Sequence, residues 1–247
     1  MKNLQALVQL STLLFPLLCV ASEVMPPVQT MQPKQQIDEM PDSVRKAFDS
    51  ARRSSTFAIP RFKRLSYRYK NEVMIPGYPK QKNPTQSSTE VIVEGEVLNE
   101  TFTPMPNFEV KRSAIFGGLV TIGEPSRGKP CSGSAISQLQ VDLPPVLEVG
   151  SKLRVQYVLA PTPLDAGCQP TAKIVERCDA TSEIRAKTMH AAMTGRAIRL
   201  ECWTVNRISQ GMPTYLVYLE DLGLLMTSTE NEHRGRIMRN FTEFVVE

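Results

Sequence analysis

The feature that most restricts the fold of this chain is a long series of strand-like runs between residues 88 and 246. Within them apolar and polar residues alternate, or a short apolar run stands alone, and Pro, Gly and Ser are frequent in the segments between. The runs cover residues 91–97, 108–110, 114–116, 119–122, 139–143, 153–159, 174–175, 198–205, 215–219, 224–226 and 241–246. Such a series predicts a mainly β fold, an antiparallel sandwich or open barrel.

Four cysteines follow the N-terminal segment, namely Cys131, Cys168, Cys178 and Cys202. An even number in a chain that begins like an exported protein predicts two disulfides. We favour Cys178 with Cys202, because the first ends the strand-like run 173–178 and the second lies inside the strand-like run that begins at residue 197. This leaves Cys131 with Cys168. Each bridge is expected to stabilise the domain by about 3 to 4 kcal/mol.

The N-terminus has the pattern of a secretory signal peptide over residues 1–22. A lysine near the start is followed by an apolar run and then by small residues at a cleavage position. The run contains two glutamines and a proline and is shorter than the roughly 20 apolar residues of a spanning helix. We therefore predict a periplasmic or secreted protein with no transmembrane segment in the mature chain.

The remainder divides by composition into three parts. Residues 23–41 are rich in Pro and Gln and predict a flexible tether. Residues 42–56 predict a short amphipathic helix, capped by Asp42 or Ser43, with an apolar stripe that includes Val44, Phe48 and Ala51. Residues 57–247 form the β-rich domain. A second short helix is expected within residues 181–195, and a polar loop within residues 228–235.

One stretch, residues 61–70, combines cations with aromatic residues. As a strand it would turn Tyr67 and Tyr69 to one face and Arg64 and Arg68 to the other. Together with Trp203, the only tryptophan, these four residues are our candidate binding surface, in which the cations hold an anion and the rings stack on a ligand. The alternative is a charged edge strand that deters pairing with other chains.

Metal and cofactor chemistry find little support. The chain has no Cys-x-x-Cys pair, and its two histidines, His190 and His233, lack finger-like spacing from the cysteines. The run from Gly123 to Lys129 has the spacing of a phosphate-binding loop, but Pro130 stands where a helix must begin. We predict no metal and no cofactor.

The chain has 29 Lys and Arg residues against 25 Asp and Glu residues, a balance too mild to argue for or against nucleic acid, which we do not expect as a partner. We therefore expect an exported, non-enzymatic binding or envelope-associated protein, whose partner is an envelope protein or an anionic glycan or lipid. One alternative is an envelope hydrolase acting on a glycan or ester through Glu94, Glu96 or His190, the two glutamates sharing a strand face. Another is a structural subunit of a secreted assembly.

Overall fold

The computed structural model describes residues 40–55, 57, 59–74, 85–105, 108–123, 134–161, 172–205, 213–232 and 235–247. This part contains one α-helix, α1 (Asp42–Ser54), and twelve strands. The strands are β1 (Arg64–Met74), β2 (Thr85–Glu94), β3 (Val97–Met105), β4 (Phe108–Ile115), β5 (Val120–Gly123), β6 (Ser134–Asp142), β7 (Lys152–Pro161), β8 (Ala172–Arg185), β9 (Arg196–Val205), β10 (Thr214–Leu219), β11 (Leu224–Glu232) and β12 (Gly235–Val246). The predicted signal peptide, most of the predicted tether, Cys131, Cys168 and His233 lie outside the described residues.

All neighbouring strands pair antiparallel, in the order β5-β4-β3-β2-β1-β12-β11-β10-β9-β8-β7-β6. The contact between β11 and β12 is short, because only residues 229–232 pair with residues 235–238. This junction divides the strands into a first sheet, from β5 to β12, and a second sheet, from β11 to β6. The predicted mainly β, antiparallel fold is confirmed.

Two clusters of buried residues hold the sheets together. The helix-side core contains Val44, Phe48, Phe116, Leu153, Val155, Cys178, Ile198, Leu200, Cys202 and Tyr218, among others. The aromatic core contains Leu65, Tyr67, Tyr69, Val91, Leu98, Val217, Leu219, Met226 and Phe244, among others. Alternation along β10 sends Val217 and Leu219 into the aromatic core and Tyr218 into the helix-side core, so this strand is buried on both faces.

Helix α1 covers one side of the second sheet. It buries Val44, Phe48 and Ala51 and packs against β6, and the ring of Phe48 lies 5.1 Å from that of Phe116. Its N-cap is Pro41, whose carbonyl oxygen accepts the N–H groups of Val44 and of the next residue. The cap therefore precedes the two residues proposed from the sequence, since Asp42 is already helical.

The expected second helix is a strand instead. Strand β8 continues to Arg185, and only a single 3-10 turn, Ala186–Thr188, follows it. Residues 182–185 pair with β9 after a register shift at Thr181, whose hydroxyl donates to the carbonyl oxygen of Arg199. Pairing with β9 satisfies the backbone of this segment, which outweighs its weak helical pattern.

Two further boundaries differ from those expected from the sequence. Residues 91–97 do not form one strand, because Gly95 and Glu96 make a two-residue hairpin turn between β2 and β3, with Gly95 at a φ of 65°. The expected polar loop at residues 228–235 is largely strand, since β11 runs to Glu232 and β12 begins at Gly235. The short β11–β12 pairing is what extends both strands.

The predicted Cys178–Cys202 disulfide is confirmed. It joins directly opposed residues of β8 and β9, whose Cα atoms lie 4.0 Å apart, and both cysteines are buried in the helix-side core. A disulfide is compatible with an extracellular or periplasmic protein. Among the described residues, no helix has the length and apolar character needed to cross a membrane.

Candidate functional site

The alternation expected for the cationic-aromatic stretch is present in β1. Tyr67 and Tyr69 are buried, with 9% and 1% of their surface exposed, and Arg64 and Arg68 are exposed on the opposite face. Strand β1 lies between β2 and β12, so it is an interior strand and the edge-strand alternative does not apply. The tyrosines therefore lie inside the protein.

The two tyrosines pack in an aromatic group between the sheets. The Tyr67 ring lies 5.9 Å from Tyr69 and 5.8 Å from Phe241, and the Tyr69 ring is stacked 6.5 Å from Phe102. Burial raises the pKa of the Tyr67 hydroxyl well above its usual value, and the nearby carboxylate of Glu100 raises it further. These rings stabilise the aromatic core and present no surface for stacking on a ligand.

The two arginines on the outer face of β1 are paired with neighbouring carboxylates. Arg64 forms an ion pair with Glu90 of β2, and Arg68 forms one with Glu243 of β12 at 3.1 Å. Each pair is cross-strand and largely exposed, so it adds little stability and largely neutralises the local charge. A role of Arg64 and Arg68 in binding stays a prediction.

Trp203 lies elsewhere, on the outer face of the second sheet. It is half-buried in β9, in phase with Arg199 and opposite to the buried Leu200 and Cys202, as alternation along the strand predicts. Three strands separate β9 from β1 in the hydrogen-bonded order. The cavity beside Trp203 and the smaller one beside Arg68 share no described lining residue. The structure thus divides the predicted surface into two separate places.

Trp203 ends a row of polar side chains that crosses four strands. Arg177 of β8 is directly opposite Trp203, Arg154 of β7 is opposite Arg177, and Asp142 of β6 is opposite Arg154. Arg177, Arg154 and Asp142 are exposed. Neighbouring strands are roughly 4.8 Å apart, so the row extends for about 14 Å across the sheet.

A cavity of about 640 Å³ follows this row. We call its polar and aromatic lining the Trp203 face, formed by Asp142, Lys152, Arg154, Arg177, Asp179 and Trp203. Lys152 is directly opposite Asp179, next to the row. Within the described part of the chain, none of the ion pairs involves Lys152, Arg154 or Arg177, in contrast to Arg64 and Arg68.

The disulfide lies directly behind this face. Cys178 and Cys202 are adjacent in sequence to Arg177 and Trp203, and both pairs are in register between β8 and β9. Alternation points the cysteines inward and the other two side chains outward. The covalent link between the strands thus fixes the spacing of Arg177 and Trp203.

Glu176 precedes Arg177 in β8 and so lies on the opposite face of the sheet from it. It is opposite Thr204, whose hydroxyl donates a 2.7 Å hydrogen bond to its Oε2 atom. Burial raises the pKa of Glu176 above its usual value, and the Thr204 hydrogen bond opposes this shift only in part. The ionised form of Glu176 is therefore disfavoured in the folded protein.

Replacing Glu176 should change how stability depends on pH. Because folding raises the pKa of Glu176, the free energy of unfolding is highest below the pKa of this group in the unfolded chain, about 4.5. It falls as the pH rises through the pKa of the folded protein. Glu176→Gln keeps an acceptor for Thr204 but cannot ionise, so we expect a flatter profile and a more stable protein at neutral pH. Urea unfolding at a series of pH values measures this effect. The exposed Glu109→Gln is the control, and identical profiles for Glu176→Gln and wild type would refute the assignment.

The residues named for a hydrolase are not assembled into one site. Glu94 ends β2 and Glu96 lies in the following turn, so the two glutamates do not share a strand face. Glu96 forms an ion pair with Arg52 of α1, and burial raises its pKa. His190 follows the 3-10 turn after β8, where its Nδ1 atom accepts the N–H of Ala192. Among the described residues, no hydrogen bond or ion pair links His190 to either glutamate.

Sequence reasoning named Trp203 as a candidate but did not name the residues that lie beside it. Arg154 and Arg177 each stand between two inward-facing residues, so their outward direction could be inferred from local alternation. Their position beside Trp203 depends on the β7–β8–β9 register, which local patterns do not contain.

Comparison with known proteins identifies no relative of this chain. No family model, no curated protein and no solved structure matches the chain. The fold and site define a two-sheet antiparallel β protein with a disulfide and a polar, tryptophan-containing cavity on one outer face.

Proposed function

We propose that this protein is an exported, non-enzymatic binding protein that holds its ligand on the Trp203 face. The observation that carries the proposal is the combination of the only tryptophan, half-buried, with three cations that form no ion pair with described residues. A cavity of about 640 Å³ is within the range of roughly 300–1,000 Å³ common for small-molecule sites.

The polar groups of this face are suited to binding. Arginine and lysine donate charge-assisted hydrogen bonds, the carboxylates of Asp142 and Asp179 accept them, and an indole packs on apolar surface. The hydrolase alternative relies on Glu94, Glu96 or His190. Glu94 ends β2, Glu96 pairs with Arg52, and His190 accepts the N–H of Ala192, so these residues do not share one site. The arrangement of the described residues therefore supports binding better than hydrolysis.

Export is supported by two features of different kinds. Residues 1–22 have the pattern of a signal peptide, and the Cys178–Cys202 disulfide is typical of proteins that mature in an oxidising compartment. The proposed place of action is accordingly the periplasm or the exterior of the cell, where a ligand or partner of the cell envelope is met.

Native mass spectrometry of the protein purified from the exported fraction of the organism that encodes it tests this function. Wild type should carry a bound molecule, and Trp203→Ala should lose it because the indole supplies the largest apolar contact of the face. Arg199→Gln is the control, since Arg199 is exposed on the same strand but does not line the cavity. A molecule retained equally by Trp203→Ala, or a bare wild-type protein, would contradict the proposal.

A further inference from the structure

We propose that the ligand of the Trp203 face is an acidic glycan, an oligosaccharide that carries uronic-acid carboxylates. This inference rests on the proposed function and names its ligand class. It follows from three properties of the face: its elongated shape, its mixture of charges, and the position of its single aromatic ring at one end of the row.

The shape of the face suits a chain molecule lying across the strands. Asp142, Arg154, Arg177 and Trp203 occupy consecutive strands in direct register, so their side chains form a line rather than a ring. A line of about 14 Å, from three inter-strand spacings of roughly 4.8 Å, is longer than one monosaccharide ring. It can therefore contact successive sugar units of an oligosaccharide.

Each side chain along the row, taken from Trp203 onward, has a matching group in an acidic sugar. The indole of Trp203 offers an apolar surface for the C–H face of a pyranose ring. Arg177 directly beside it and Arg154 one strand further can bind carboxylates in a bidentate manner. The carboxylates of Asp142 and Asp179 can accept hydrogen bonds from sugar hydroxyls.

An anionic membrane surface fits the same face poorly. Attraction to acidic lipids increases with each Lys or Arg near the surface, and the Trp203 face places two carboxylates among its three cations. A planar array of headgroups would meet Asp142 and Asp179 as well as the cations. A single chain molecule can place its own hydroxyls against the aspartates and its carboxylates against the arginines.

A protein partner also fits less well. Stable protein interfaces bury about 800 Å² on each side around a core depleted of charged residues. Trp203, Val205 and Leu153 are the apolar residues among the described lining of the cavity, and Leu153 is buried. The charged side chains stand in the middle of the face, where a protein interface has its apolar core. A small polar ligand is the better match.

The test uses the fluorescence of Trp203, which reports on this face alone because the chain has one tryptophan. The mature wild-type protein is titrated with a trimer of galacturonic acid, with the same trimer fully methyl-esterified, and with vesicles of phosphatidylcholine and phosphatidylglycerol. We expect a saturable change in emission with the acidic trimer and an apparent affinity at least about tenfold weaker for the ester, which has lost the charge.

Variants separate a carboxylate contact from a general effect. Arg177→Gln should weaken binding of the acidic trimer about tenfold or more and leave the ester unaffected, and Arg177→Lys should restore part of the difference. The exposed Arg199→Gln should bind like wild type. Unchanged thermal midpoints establish that the variants are folded.

Each alternative outcome has a distinct meaning. Equal binding of trimer and ester, or a response to vesicles alone, overturns the acidic-glycan inference while the Trp203 face remains a binding site. The absence of any response to the acidic trimer also overturns the inference. If the native mass spectrum of the wild-type protein is in addition bare, the proposed function is contradicted as well.

Discussion

Replacing Cys178 and Cys202 together by alanine is expected to lower the free energy of unfolding by about 3 to 4 kcal/mol. The bridge joins residues that are 24 positions apart, and in the chain-entropy model it restricts the unfolded chain by closing that loop. Both sulfur atoms are also packed in the helix-side core, since Cys178 and Cys202 are 1% and 5% exposed. Equilibrium unfolding in urea, without reductant, measures the loss.

The same variant separates the disulfide from simple packing. Alkylation of the denatured wild-type protein without reductant should leave the peptides of Cys178 and Cys202 unlabelled. A loss of less than about 1 kcal/mol in the double variant, or labelling of these two cysteines in the wild type, would contradict the assignment. We also expect the double variant to bind ligand more weakly, because the bridge holds together the strands that carry Arg177 and Trp203.

Gly223→Ala is expected to be comparably damaging. Gly223 has a φ of 63° and follows the 3-10 turn between β10 and β11. A Cβ atom there would lie 1.9 Å from the carbonyl oxygen of Ile59, and the neighbouring Leu222 oxygen accepts the N–H of Arg61. The left-handed backbone costs about 1–2 kcal/mol for an L-residue, and the clash with the main chain adds about 1–3 kcal/mol.

Gly95→Ala is the matched control for this prediction. Gly95 has nearly the same φ, 65°, but a Cβ atom added there would have no heavy atom of the described residues within 4 Å, its chain neighbours aside. It should therefore show the conformational cost of about 1–2 kcal/mol without the clash. Thermal or urea unfolding of both variants compares the two costs. Equal destabilisation would show that the segment containing Ile59 does not pack against this turn.

The sequence was informative wherever burial depends on near neighbours in the chain. Alternation in β1 predicts correctly that Tyr67 and Tyr69 share one face and that Arg68 lies on the other. The disulfide was predictable for the same reason, since Cys178 and Cys202 both fall on the inward-facing phase of strand-like runs. Local alternation could not show which of the two faces is covered by another sheet.

The pairing of strands that are distant in the chain cannot be predicted from local sequence patterns. Strand β1 is interior because β12, at the other end of the chain, pairs with it, and this pairing places the aromatic face against the second sheet. The helix predicted from residue 181 onward is wrong for residues 182–185, because they pair with β9, a strand that begins eleven residues further along the chain. The same limit applies to the candidate site, because Arg154 and Arg177 are brought into line with Trp203 only by the register of β7, β8 and β9.

The central claim is that Trp203 lies at an open face and that its direct cross-strand neighbour, Arg177, is a cation that forms no ion pair with described residues. Collisional quenching of its fluorescence tests this claim without knowledge of the ligand. At constant ionic strength, iodide should quench Trp203 more efficiently than caesium, and Arg177→Gln should reduce the difference while Arg199→Gln leaves it unchanged. Failure of neutral acrylamide to quench, or more efficient quenching by caesium than by iodide, would contradict the account.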